Sequence, residues 1–186
     1  MRRNIFIAVW VFIGLFGFFA CNLETEKGFI FDEKTFNSKW NEWRKNDIQN
    51  YSFTMVGELP YWNFSRDILM YEYKVNIVVK NGVMDSFEYI GDIPYEDDGI
   101  SILEPEFTSI SDMYQKISDS VKAEKEWWGK NSGEGGFVST TFNINYDPQL
   151  HYIIYFEPVT EVKSGWILDT TNHAVNISNF AVLNVE

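Results

Sequence analysis

Cysteine and histidine are nearly missing from this chain, whose 186 residues hold one Cys and two His. A single cysteine forms no intrachain disulfide, so the fold stands on its apolar core, which a chain of this size can build. Zinc takes three or four ligands at workable spacing, and no Cys-x-x-Cys or His-x-x-x-His pair occurs. His151 and His173 stand apart, and no Gly-x-Ser-x-Gly elbow supplies a nucleophile for either. No catalytic residue, metal or cofactor is therefore assigned. Positive charge is scarce too: 15 Lys and Arg against 27 Asp and Glu leave a net charge of -12. Nucleic-acid binding is driven by Lys and Arg displacing counterions, so this balance disfavours a nucleic-acid partner. No Pro/Ser-rich linker and no convincing repeat divides the chain, so one domain is expected over residues 32–186.

What is present begins with one long apolar run. Arg2 and Arg3 precede Ile5 to Ala20, which carry no charge. At about 1.5 Å per residue this run reaches roughly 24 Å as a helix, short of the ~30 Å hydrocarbon core. A positive start, a short apolar run and a small residue at its end read as a secretory signal over residues 1–20. Ala20 is followed by Cys21, the sole cysteine. An unused thiol, or an uncleaved anchor beside Cys21, is the plain reading. The sharper one is lipidation: Gly17-Phe18-Phe19-Ala20-Cys21 resembles a bacterial lipobox, at Ala20 closely and at Phe18 less so. The resemblance implies a diacylglycerol and an acyl chain such as palmitate on Cys21. Two or three chains on one residue hold a protein to a membrane durably, where one does so only marginally. The expectation is a cell-envelope lipoprotein, anchored by lipid to a bacterial membrane with its domain outside the cytoplasm. Residues 21–31 would be the lipidated Cys and a tether.

Beyond the tether, Asp32 or Thr35 opens a helix in which Phe36, Trp40 and Trp43 share a face, with Asn46 as a stop. Tyr51 to Glu58 alternates as a strand, and Leu59 to Ser65 reads as a loop. Ile68 to Val79 and Val83 to Ile90 are strands joined by Asn81-Gly82, a hairpin pair suited to positive φ. Gly91 to Glu106 is an acidic loop. Thr108 to Asp112 supplies a hydroxyl cap and an early acid for a second amphipathic helix running to about Trp127. Gly129 to Gly136 reads as flexible. Phe137 to Tyr146, Tyr152 to Glu157 and Ala174 to Val185 are strands, with Asn179 at a bulge. The order helix-β-β-β-helix-β-β-β, with short connections, predicts an α+β fold: an antiparallel sheet of about six strands and two amphipathic helices.

Five stretches, taken in order, resemble a widespread family of small secreted and lipid-anchored bacterial proteins known only as a domain of unknown function. They are Trp40 with Ile48-Gln49-Asn50 and Tyr51-Ser52-Phe53; Val75 to Gly82; Thr108-Ser109-Ile110 with Met113-Tyr114 and Ile117; Tyr146-Asp147-Pro148; and Ile177-Ser178-Asn179-Phe180. The chain departs from the family at Leu150-His151-Tyr152, where Gly and Pro are usual, and lacks a Cys pair within Leu59 to Asp67. The resemblance implies one domain and an envelope location, and no reaction.

Candidate recognition residues are aromatics outside the core periodicity. Phe36, Trp40, Trp43, Phe53 and Tyr114 fit a core. Tyr61, Trp62 and Phe64 fall in the expected loop. Trp127 and Trp128 are adjacent, so they cannot both face the core. These five read either as a binding surface or as a cover for the sheet's open end. The acids Asp92, Glu96, Asp97, Asp98, Glu104 and Glu106 read as a solvated loop, with calcium the less favoured alternative. The functional expectation is a non-catalytic binding or structural module for an envelope protein or glycan. The alternatives are a carboxylate-dependent hydrolase of envelope sugars, which needs two acids about 5 to 9 Å apart, and a ligand carrier with an apolar cavity.

Overall fold

Aromatic residues at two different spacings build the two layers of the fold. We describe residues 24–26, 28–62, 68–91, 105–131, 136–163 and 174–184 of a computed structural model. The leader, Cys21, Phe64, His173 and the acidic loop from Asp92 to Glu104 lie outside these residues. The elements are β1 Glu24–Glu26, β2 Phe29–Phe31, α1 Glu33–Lys45, β3 Tyr51–Trp62, β4 Ile68–Lys80, β5 Val83–Tyr89, α2 Ile110–Asn131, β6 Phe137–Tyr146, β7 Ile153–Val162 and β8 Val175–Val182. The strands form one eight-stranded sheet in the order β1-β2-β6-β7-β8-β3-β4-β5. Both helices pack on one face, so the class is α+β. Among the described residues no helix is long and apolar enough to cross a membrane.

The helices start where cap chemistry allows. Asp32 Oδ1 accepts the Thr35 amide at 3.0 Å, and Arg44 and Lys45 sit in the last turn of α1. At α2, Ser109 Oγ accepts the Asp112 amide at 3.0 Å while Asp112 Oδ2 accepts the Thr108 amide at 2.9 Å. Phe36 and Trp43 from α1, and Ile110, Met113, Tyr114, Ile117, Val121 and Trp128 from α2, are buried. They meet Tyr51, Phe53 and Met55 of β3 and Val75, Ile77 and Val79 of β4. Asn81 and Gly82 both take positive φ, 53° and 78°, as the β4–β5 hairpin requires. Asn179, at φ 51°, lies where the β3–β8 register shifts.

Three expectations need correction. The sheet has eight strands and is mixed, because β2 runs parallel to β6 with Phe29 opposite Thr140. The stretch 22–31 is not simply a tether. Glu24 pairs with Phe31 and Glu26 with Phe29, and Phe29 and Phe31 are only 1% and 4% exposed. Their rings pack edge-on against Phe142, each at 5.8 Å between centroids. Burying two such side chains contributes roughly 1.5–3 kcal/mol apiece. Lastly, Pro60, Tyr61 and Trp62 continue β3, paired with Met70, Leu69 and Ile68, instead of forming a loop. Pro60 is tolerated because the β3–β8 pairing ends at Val56, so beyond it β3 pairs only with β4 among the described residues.

The two ends of the sheet differ. At one, here the capped end, lie the Asn81-Gly82 hairpin, the 46–50 connection and the 147–151 turn. At the other, the C-terminal turn of α2 meets the start of β6 and the end of β7. Gly28, which turns the chain between β1 and β2 at φ 96°, sits beneath Trp128 at this second end. A Cβ at Gly28 would come within 2.7 Å of both the Trp128 ring and the Val138 carbonyl oxygen.

Candidate functional site

Two concavities lie among the described residues. The larger, about 600 Å³, lies on the sheet face away from the helices and is lined by Ser52, Thr54, Asn76, Ser86, Glu88 and Asn179 among others. Three of these groups, those of Thr54, Asn76 and Asn179, serve one another. Thr54 Oγ1 donates to Asn76 Oδ1 at 2.7 Å and accepts from Asn179 Nδ2 at 3.2 Å, a ladder across β8, β3 and β4. Thr54 is buried within it. The ladder ties three strands together and asks for no further partner.

The smaller concavity, about 200 Å³, is lined by Glu124, Trp127, Phe137, Thr140 and Thr160. Helical spacing puts Glu124 one turn before Trp127 on the same side of α2. Thr140 and Thr160 are register partners on β6 and β7, and their hydroxyl oxygens are 3.2 Å apart. Trp128 Nε1 donates to Thr140 Oγ1 at 3.1 Å, which fixes the floor of the cleft. Trp127 stands edge-on to Phe137 at 5.1 Å and to Trp128 at 5.2 Å, and remains 37% exposed. Burial pushes the Glu124 carboxyl up from its ordinary value, with no neighbouring charge to offset it. Glu124 has no hydrogen bond or ion pair among the described residues.

Of the five aromatics singled out in the sequence, Trp127 lines this cleft. Trp128 is 3% exposed and belongs to the core, because one helical step of about 100° turns it from its neighbour onto the sheet. Tyr61 and Trp62 end β3, and Phe64 lies outside the described residues. Glu124, Phe137, Thr140 and Thr160 were not singled out in the sequence. Glu124, three residues before Trp127, could have been; the pairing of Thr140 with Thr160 depends on register and could not.

The carboxylates are spread thin. Glu88 lines the larger concavity and Glu124 the smaller, one apiece among the described residues. Neither concavity holds the pair that glycoside hydrolysis uses. Glu58 and Glu72 are register partners on β3 and β4, but Glu72 is exposed and neither lines a concavity. Among the described residues no group of three or more His, Cys, Asp or Glu could hold a metal ion. No family model, no curated protein and no solved structure matches this chain. The resemblance to the uncharacterised envelope family accordingly rests on its five sequence stretches alone.

Proposed function

We propose that this chain is a lipid-anchored lipoprotein of a bacterial cell envelope and works as a non-catalytic binding module, with the Trp127 cleft as its site. The observation that carries the binding half is the cleft itself: an exposed indole, two hydroxyls and an unpartnered carboxylate around one cavity, with Glu124 the one acid lining it among the described residues. The anchoring half rests on the leader that ends at Cys21. Only residues 22 and 23 separate Cys21 from β1, a reach of about 10 Å when fully extended. A lipid on Cys21 would hold the sheet against the membrane.

Two measurements test this reading. Cells expressing the chain are fed an alkyne-bearing palmitate; the label is expected on the purified protein and absent from Cys21→Ser. A labelled Cys21→Ser, or an unlabelled parent chain, would overturn the anchor. For the site, Trp127→Ala is expected to fold as the parent does and to lose capture of envelope glycan or protein in a crosslinking pull-down. An unchanged partner set would count against the cleft.

A further inference from the structure

Glu124 is costly where it stands. A half-buried carboxylate that has lost water and found no donor destabilises the fold until something supplies one. The groups around it are selective about what that can be. Trp127 and Phe137 offer aromatic surface, on which a cation or the C–H face of a sugar ring can rest. Thr140 and Thr160, bonded to each other and Thr140 also to Trp128, give the cleft a polar floor. The volume, about 200 Å³, accommodates one six-membered ring and is well below that of a drug-sized pocket. A net charge of -12 attracts cations to the surface from a distance.

We infer that the cleft binds an amino sugar bearing a free amine, whose ammonium pairs with Glu124 and whose ring stacks on Trp127. The inference rests on reading this cleft as the binding site and is independent of the lipid anchor. A neutral sugar leaves the carboxylate without a counter-charge. A lysine side chain supplies the charge but has no ring to lay on Trp127.

The test is ligand-observed NMR titration of the full-length chain in non-ionic detergent, with glucosamine, N-acetylglucosamine, glucose and Nα-acetyl-lysine amide as probes. Glucosamine is expected to bind at least tenfold more tightly than the other three at pH 7. Glu124→Gln, which keeps the shape of the side chain, is expected to bring glucosamine down to the level of glucose while leaving the thermal midpoint unchanged or higher. Trp127→Ala should weaken glucosamine and glucose together. Equal binding of glucosamine and N-acetylglucosamine would overturn the ammonium and leave the binding site standing. Tighter binding of the lysine probe would overturn the sugar. No binding of any probe would overturn the inference, and pull-down by the parent chain would then decide whether the site itself survives.

Discussion

The two ends of the sheet are built on opposite terms. At the capped end polar groups are matched. Asn46 Nδ2 donates to the Leu150 carbonyl at 2.9 Å, and Asp147 Oδ1 accepts the amides of Gln149 and Leu150 at 2.9 and 2.6 Å. Asn50 accepts the Asn81 amide through its side chain and the Leu183 amide through its backbone. Tyr114 Oη donates to the carbonyl of His151, which lets His151 hold a positive φ of 64°. Lys39 bridges Glu42 at 3.1 Å, and that hydrogen bond holds the Glu42 carboxyl below its ordinary value. Toward the other end the matching fails. Glu124 lacks a donor, Trp127 lacks a cover, and the buried hydroxyl of Tyr73 has no hydrogen-bond partner among the described residues. The contrast teaches where stability and function divide. The polar groups named at the capped end are matched within the fold, while the cleft end holds Glu124, which has no partner among the described residues.

If the sheet is one structure from β2 onward, its largest sensitivity lies where the sequence suggested a tether. Phe31→Ala is expected to lower the unfolding free energy by about 3–5 kcal/mol, the usual cost of deleting a buried Phe ring. Urea titration checks this; a loss under about 1 kcal/mol would return the segment to a tether. Alkaline pH should come next. Burial holds the Tyr114, Tyr146 and Tyr73 hydroxyls well above the ordinary tyrosine range near 10. The folded chain keeps these protons while the unfolded chain releases them. Their contribution is therefore intact below about pH 10 and falls by roughly 1.4 kcal/mol per tyrosine for each pH unit above it. The urea midpoint is expected to drop steeply between pH 10 and 11, and Tyr114→Phe should remove one tyrosine's share of the slope, about 1.4 kcal/mol per pH unit. An unchanged slope in Tyr114→Phe would mean that its hydroxyl ionises as freely folded as unfolded.

How much of this was legible in the sequence follows from the length of each pattern. The helices announced themselves through 3–4 spacing and caps, and Asn81-Gly82 announced its hairpin. β2 is three residues long, too short for alternation to be read, and its parallel pairing with β6 joins residues more than a hundred positions apart. Pro60 suggested a loop because its missing amide forbids a central strand; only the sheet topology shows that β3 is no longer flanked by β8 there. The cleft was half legible. Adjacent Trp127 and Trp128 had to divide between core and surface, but which one faced outward depended on the helix phase against β6. Glu124 looked like any solvated helical acid until Phe137 and the two threonines were set beside it.

The smallest effect is the sharpest test of the comparison, because its two halves should have opposite signs. Tyr51 Oη, buried near the capped end, accepts the Ile110 amide at 3.0 Å where α2 begins. Tyr51→Phe leaves that amide without an acceptor and is expected to cost about 1–3 kcal/mol. Tyr73 lies six residues farther along the paired strands, opposite Gly57, and its ring covers that glycine so closely that a Cβ there would sit 2.6 Å from the hydroxyl. Removing the hydroxyl deletes no hydrogen bond among the described residues and relieves a desolvated polar atom. Tyr73→Phe is therefore expected to raise stability by up to about 1 kcal/mol, and Gly57→Ala, which pushes the ring aside, to lower it by about 1–3 kcal/mol. The pair is measured as urea midpoints at pH 7 on otherwise identical chains. Should both tyrosine variants lose stability alike, Tyr73 has a partner as good as that of Tyr51, and the contrast between the ends would rest on the Trp127 cleft alone.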